Sequence, residues 1–561
     1  MEAPAPATEW AAKDPALFLP QRRKMEILFA ILLGLFLAAL DQTIVGTALP
    51  TIVGDLHGSN ELYTWVITIY LLTSTISGVF YGKLSDLFGR RPMLLIGITV
   101  FLIGSALSGL SWSMESLILF RGIQGLGAGA LFPVSLAVIG DLFTPVERGK
   151  YQGLFGAVFG VAAVLGPLLG GFLTDRFSWH WIFYVNIPIG LVALFIIGRY
   201  LPALKRTGAH YKLDYLGAAV FTVAISFLLV GLTNKQTADW SSFNVGGFIV
   251  IALIVGALFV VVEARAKEPI VPLDLFRNRV YSVSILATFL AAFGFFAAIV
   301  FLPRWFQFVK GVSPTESGLQ TLALLLGVII SSIVSGALIS RTGKYKLLII
   351  GALALMSAGL WLMTNIQSST DLPVLWVWMF ITGVGVGPTL SSFTIVVQSA
   401  VPFNKLGVAT SNLTFFRQVG GSVGLAVIGT IFAQVLTDSV VPSLVKQGIP
   451  DDMAGKLAQF AGGGGGGEVG QVGTNLRDQL LASPAADQIK PFVDQIVNGV
   501  YAAFSTAVGA AFFAGLIAAL AALVVAIFLP EVPLRGMARR GAGKPGEAPG
   551  MPEPEIMAPG I

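Results

Sequence analysis

The chain has 561 residues, of which 55% are hydrophobic and only 12% charged, and its mean hydropathy is +0.81. Water-soluble globular chains carry about 25% charged residues, so this composition excludes a soluble globular protein and requires one that crosses a membrane many times. The absence of cysteine excludes disulfides and thiol chemistry, the histidines His57, His180 and His210 are too scattered to hold a metal, and a formal net charge of +5 is explained by topology and gives no ground for a nucleic-acid partner.

Taken in order, a tail over residues 1–24 ends in Arg22, Arg23 and Lys24, ahead of an apolar run over 27–53. That run lacks a small-residue cleavage pattern, so it reads as a first spanning helix rather than a signal peptide. A span needs about 20 mostly apolar residues. Further runs lie near 63–81, 92–110, 115–138, 151–173, 181–201, 215–233, 246–263, 281–302, 317–339, 346–364, 373–398, 407–434 and 501–529, which makes fourteen helices in an all-α membrane protein. With the N-terminus inside, alternation places most Lys and Arg on the cytoplasmic side and both termini there. The organisation expected is an N-terminal six-helix bundle (25–201), two inserted linker helices (202–280) and a C-terminal six-helix bundle (281–530). A long external loop (437–500) interrupts the second bundle, and a Gly- and Pro-rich disordered cytoplasmic tail (531–561) follows it. Within the loop, six glycines at 462–467 read as a flexible linker between amphipathic stretches at 451–460 and 475–497.

Between the second and third runs stands Gly82-Lys-Leu-Ser-Asp-Leu-Phe-Gly-Arg-Arg91, a charged bracket. Gly82 and Gly89 permit a tight turn. Asp86 can accept from helix N-termini or from Arg90, and Arg90 and Arg91 belong on the cytoplasmic side. Asp141, at the end of the fourth run, can pair with Arg90, and Arg148 can join them. The group is either a latch that pins helices in one state or an ordinary basic loop. Gly336 to Lys344 repeats the bracket 254 residues later, with Gly336 for Gly82, Gly343 for Gly89 and Lys344 for Arg90, but Ser340 for Asp86. Two related halves follow, and in transporters built from paired halves the substrate site lies between them.

Three charges fall inside apolar runs. Asp41 lies about 21 Å along the first helix from Ile27, deep in a hydrocarbon core of about 30 Å. An ionised carboxylate there is costly and must face the bundle interior or water, so proton binding can act as a switch. The alternative is a permanently protonated packing group. Arg121 stays charged and needs a partner, with Asp41, Gln124 or backbone carbonyls available. Gly153, Gly156 and Gly160 form a small-residue face, and Gly166-Pro167 implies a kink before Gly170 and Gly171. Arg417, in Phe415-Phe-Arg-Gln-Val-Gly-Gly421, either meets substrate, neutralises a carboxylate, or snorkels to the interface. Gln124, Phe296, Phe380, Asn412, Phe416 and Arg417 are the candidates for a substrate cavity, with Phe293, Phe295 and Phe415 as further aromatic walls. The default for these phenylalanines is core or lipid contact.

Four stretches carry a resemblance: Leu40 to Pro50, the bracket 82–91, Arg121-Gly-Ile-Gln-Gly-Leu-Gly-Ala128, and the run ending Gly166-Pro-Leu-Leu-Gly-Gly171. Together they resemble the major facilitator superfamily, and within it the fourteen-helix drug:proton antiporters. The resemblance covers about 25–530 apart from the 437–500 loop. It implies the major facilitator fold, a proton relay at Asp41 and Arg121, a cytoplasmic latch at the bracket, and an antiporter motif in the fifth helix. It further implies a plasma-membrane monomer that exports hydrophobic or amphipathic, often cationic, compounds. Its energy would come from the proton gradient with no other cofactor, since no ATP-binding P-loop is present. Export of lipids by the same fold is the alternative, and a non-transporting sensor or scaffold is a second.

Overall fold

The computed structural model describes residues 19–57, 60–202, 214–235, 238–402, 405–455, 477 and 490–532. The 462–467 glycine run, His210, and the greater part of the two tails lie outside these residues. Among them, fourteen helical stretches are long and apolar enough to cross a membrane, the sixth counted from Trp181. They are α1 (Gln21–Asp55), α2 (Asn60–Phe88), α3 (Arg90–Ser108), α4 (Met114–Leu142), α5 (Pro145–Arg176), α6 (Asn186–Tyr200) and α7 (Tyr215–Asn234), then α8 (Phe248–Arg265), α9 (Arg279–Val309), α10 (Leu322–Thr342), α11 (Lys346–Met363), α12 (Leu372–Ala400), α13 (Leu406–Lys446) and α14 (Val493–Ile527). One-turn and two-turn helices, Trp181–Tyr184 and Pro314–Gln320, precede α6 and α10.

Local chemistry sets several ends. The Ser113 hydroxyl accepts from the Ser116 N–H at the start of α4, and Asn278 caps α9 by accepting from the N–H groups of Val280 and Tyr281. Both repeat glycines take left-handed backbone, Gly89 at φ 98° between α2 and α3 and Gly343 at φ 70° after α10. The bracket is therefore not the short loop expected: residues 82–88 continue α2, and the chain turns only at Gly89.

The contacts repeat with a period of eight helices. In the first bundle α4 packs on α2 and α3, α1 on α5 and α6, and α3 on α6; in the second α12 packs on α10 and α11, α9 on α13 and α14, and α11 on α14. The two bundles meet along α2 against α13 and α5 against α10, while α7 and α8 pair with each other and α7 flanks the first seam. Two inserted helices beside two six-helix bundles are thus the observed architecture.

The expected ends at 434 and 501 are overtaken. α13 runs on to Lys446 and α14 starts at Val493, because Leu436, Val440 and Leu444 bury themselves with Val493, Ile496 and Val500. A 41-residue helix is about 60 Å long at 1.5 Å per residue, twice the hydrocarbon thickness. The first and last ten residues of the 437–500 segment are in this way mostly helix, extending the bundle.

Small residues set how closely the bundles approach. A Cβ at Gly153 would lie 2.7 Å from Ile333 Cα and 2.8 Å from the Ser332 carbonyl oxygen on α10, both backbone. Nothing lies within 4 Å of the same position at Gly351 on α11. Gly153→Ala is therefore expected to destabilise by about 1–3 kcal/mol through overpacking, whereas Gly351→Ala gains up to about 1 kcal/mol of helix propensity. Thermal unfolding of the two variants in the same detergent separates them; equal melting temperatures would contradict the close α5–α10 seam.

Candidate functional site

Asp41 sits wholly buried in the first bundle, facing α4 and α6 rather than open water. Its Oδ2 accepts from Arg121 Nη1 at 2.5 Å, and its Oδ1 accepts from Gln124 Nε2 at 2.7 Å and Asn186 Nδ2 at 3.2 Å. Arg121 Nη1 also donates to Gln124 Oε1 at 2.8 Å, and Asn186 Nδ2 to Ser105 Oγ at 3.1 Å. The Arg121 guanidinium lies 4.1 Å from the Tyr70 ring centroid. Close approach is what permits this: a Cβ at Gly104 would lie 2.4 Å from the Gln124 backbone nitrogen, so α3 presses α4 towards α1. The ion pair offsets the cost of two charges in a low-dielectric bundle only because Gln124 and Asn186 add further hydrogen bonds.

Of the residues expected here, Asp41, Arg121 and Gln124 come together. Sequence reasoning missed Asn186, Ser105 and Tyr70. Asn186 carries a signal, being an amide inside an apolar run. Just ahead of it, Trp179 stacks on His180 at 3.7 Å and donates to Asp55 Oδ2 at 2.7 Å.

The seam from this cluster outward runs through α1 and α5. The Thr43 hydroxyl donates to the Ala162 carbonyl at 3.0 Å, and a Cβ at Gly166 would lie 2.0 Å from Thr43 Oγ1. A Cβ at Gly170 would lie 2.9 Å from the Ile44 carbonyl oxygen. Gly156 and Gly160 instead face α10, against Ser332 and Ile329. Pro167 and Gly171 lie in the same continuous helix, and Pro167 reaches the cavity wall.

Between the bundles lies a cavity of about 680 Å³. Its wall includes Gln42, Thr43 and Tyr70, aromatic rings from Phe132, Phe155, Phe295, Phe296 and Phe415, and Arg417. Five expected wall residues are elsewhere, among them Phe293, which packs edge-on to Phe289 and against Gly424. Gln124 is turned into the Asp41 cluster. Phe380 is 38% exposed on the outer face of α12. Phe416 packs its ring edge on Phe276, and Asn412 is buried behind the wall, donating to Tyr281 Oη at 3.1 Å. Neighbours one residue apart on a helix point about 100° apart, so Phe415 lines the wall and Phe416 does not. Among the described residues Arg417 pairs with no carboxylate, and its guanidinium carbon sits 4.9 Å from the Phe132 ring centroid in the cavity wall.

At the end bearing the bracket the two bundles are tied together. Arg90 joins Asp86 at 2.6 Å through Nη1 and Asp141 at 2.9 Å through Nε, with all three side chains buried. Asp86 in turn accepts from the backbone N–H groups of Gly407 at 3.1 Å and Val408 at 2.9 Å, at the N-terminus of α13 in the other bundle. A carboxylate at a helix N-terminus meets unpaired N–H groups and a positive dipole end. Arg91 donates to the Gly198 carbonyl, and Arg148 to the Phe143 and Gly140 carbonyls. Gly82 serves not a turn but contact with α13, since a Cβ there would lie 2.2 Å from Ser411 Oγ. Gln398 adds a second tie, donating to the Leu136 carbonyl at 3.1 Å and to Thr410 Oγ1 at 3.2 Å. In the second half, Ser340 donates to the Gly336 carbonyl of its own helix at 2.9 Å.

This fold has known counterparts. The family model described as Major Facilitator Superfamily matches residues 31–425. The chain belongs to the Major Facilitator Superfamily. It is 37% identical over 523 residues to the multidrug transporter protein MdtP of Bacillus subtilis strain 168, covering 92% of this chain and 94% of that one. It is 34% identical over 506 residues to multidrug resistance protein 3 of the same organism, covering 90% and 94%. The tetracenomycin C resistance and export protein of Streptomyces glaucescens is 32% identical over 416 residues, 74% and 77% of the two chains. Among solved structures, the proton:xylose symporter XylE superposes with a TM-score of 0.53 at 14% identity over 92% of this chain and 98% of that one. The human organic anion transporter MFSD10 superposes with a TM-score of 0.54 at 17% identity, over 74% and 94%. At these identities the superpositions speak for the fold alone. The protein is a multi-pass membrane protein of a transporter superfamily.

Removing the Asp86 side chain strips charge-assisted bonds worth about 1.5–3 kcal/mol each from the closed bracket end. In a chain without native cysteine, Thr410→Cys reports on that end, since Thr410 is fully buried. Maleimide labelling of Thr410→Cys is expected to rise about tenfold or more when Asp86→Ala is added. Unchanged labelling would mean that the Asp86 contact does not hold the end shut.

Proposed function

We propose that this protein exports hydrophobic or amphipathic small molecules across the plasma membrane by alternating access, in exchange for protons, with both termini and the bracket on the cytoplasmic side. The observation that carries the reading is the buried Asp41–Arg121–Gln124 cluster, placed directly behind the cavity wall formed by Gln42 and Tyr70. The relatives named for multidrug transport and resistance supply the export reading and its small-molecule substrates. The Lys and Arg bias supports the orientation.

The cycle follows from the contacts. With the bracket closed, the cavity is sealed from the cytoplasm and a solute entering from that side is excluded. Protonating Asp41 removes the attraction that holds Arg121 and Gln124 to α1. Two residues on, Thr43 ties α1 to Ala162 of α5, and α5 packs through Gly153 and Gly156 on α10 of the other bundle. A change of charge at Asp41 thereby biases the seam between the bundles, which is the two-state element alternating access requires. Chemistry at a covalent bond is not part of the scheme, and the energy source is the proton gradient.

The test is substrate-coupled proton movement in proteoliposomes under an imposed pH gradient. Adding a transported compound to the native protein is expected to move protons in the opposite direction. Asp41→Asn keeps the size of the side chain, exchanges one acceptor oxygen for an amide donor and cannot change charge, and is expected to reduce coupled movement to background while downhill solute exchange persists. Coupled movement in Asp41→Asn at the native rate would remove Asp41 from the coupling role.

A further inference from the structure

Among the described residues, Arg417 is the only charged side chain in the cavity wall. It makes neither an ion pair nor a hydrogen bond among those residues, and its guanidinium carbon lies 4.9 Å from the Phe132 ring centroid. The other buried arginines are neutralised or capped by the protein itself. Arg90 has Asp86 and Asp141, Arg121 has Asp41, and Arg148 has the carbonyls of Phe143 and Gly140. The Asp41–Arg121 pair next to the cavity is neutral as a unit, so the cavity as a whole carries the charge of one guanidinium.

Position reinforces this. Arg417 is eleven residues into α13, roughly 16 Å from the start of the helix at 1.5 Å per residue, so its head is inside the hydrocarbon depth and not at a headgroup layer. A guanidinium there with no protein counter-charge is costly, and a guest that brings the counter-charge recovers that cost. Its planar fork suits a carboxylate in two parallel hydrogen bonds. Gln418, on the same helix and also in the wall, offers further donors, while the Thr414 hydroxyl already donates to the Thr410 carbonyl at 3.0 Å. Around them the wall is apolar and aromatic, with Phe155, Phe295 and Phe296. The volume, about 680 Å³, is that of a site for one drug-sized molecule rather than a two-tailed lipid.

We infer that the cavity selects amphiphiles with an aromatic-sized apolar body and a single negative charge, a carboxylate or comparable weak-acid anion, with Arg417 as the specificity-determining cation. This deepens the export reading and rests on it. It also reverses the expectation of cationic compounds, because phenylalanine rings alone would welcome a cation but the neighbouring guanidinium repels one.

Three probes of one shape test the inference: pyrenebutyric acid, its neutral methyl ester, and the corresponding pyrenebutyl trimethylammonium. Equilibrium binding to the purified full-length protein in detergent is read by energy transfer from tryptophan. The carboxylate is expected to bind about tenfold or more tighter than the ester, and the ammonium weakest. Arg417→Gln is expected to erase the carboxylate's advantage while leaving the ester within about twofold, and Arg417→Lys to keep part of it. Ester binding by Arg417→Gln at the native level also shows that the variant is folded. A native ranking with the ester or ammonium first, absence of carboxylate binding, or an Arg417→Gln variant that keeps the native ranking overturns the inference. Export of the neutral ester from proteoliposomes, measured alongside, is independent of Arg417. Its absence would count against export itself and leave the binding ranking to decide the charge preference.

Discussion

A carboxylate and a guanidinium held 2.5 Å apart with no exposure to solvent set the terms for the first bundle. Neither charge is tolerable in that depth of apolar helix alone, so four helices must converge on them. α1 brings Asp41, α4 brings Arg121 and Gln124, α6 brings Asn186, and α3 brings Ser105 to hold Asn186. The convergence demands close backbones, and the glycines at 97, 104 and 127 along α3 and α4 supply them. Packing among helices surrounded by lipid gains little from apolar burial, since lipid is as apolar as leucine. Small-residue contact and polar ties therefore carry most of the specificity.

The same logic governs the join between the bundles, where the contacts are fewer and of two kinds. One is steric, a glycine seam along α5 against α10. The other is electrostatic, a three-charge cluster whose acidic member Asp86 reaches across to cap α13. The second is the more readily broken, because its parts are hydrogen-bonded groups at a surface-adjacent end that water can replace. The sequence repeat shows why only one end is built this way. The equivalent of Asp86 is Ser340, and its hydroxyl is already spent on its own helix. A pseudo-symmetric pair of bundles thus carries an asymmetric lock, which suits a machine that must alternate.

Much of the fold was legible because a membrane span has a long, coarse signal. All fourteen runs became helices, most ending within a few residues of the expected positions. The largest error was at α13 and α14, where burial of Leu436, Val440 and Leu444 against a segment about 50 residues later continues the helices beyond the hydrocarbon. No hydropathy window reports that, since the pairing is tertiary. The bracket was recognised as charged, but its conformation was misjudged: a Gly at 82 looks like a turn in sequence and serves as a contact in space. Asp41, Arg121 and Gln124 were nameable together because charge and amide groups in apolar runs must find partners. Asn186 obeys the same rule and was overlooked.

What the sequence by itself determined is the class of solution: an all-helical membrane protein of fourteen spans in two related halves, with a buried acid, a buried base and a charged bracket that cannot be left unpaired. These follow from the free energy of placing polar groups in hydrocarbon, which depends on residue type and depth and hardly on neighbours. The tertiary structure alone decided which groups meet and which face the cavity. Phe415 and Phe416 are adjacent in the chain and point to different environments, Phe380 turns outward, and Arg417 ends over Phe132 in an apolar wall. Those outcomes depend on the rotation of each helix about its axis, which is set by contacts with other helices and is not encoded in the hydropathy of any one of them.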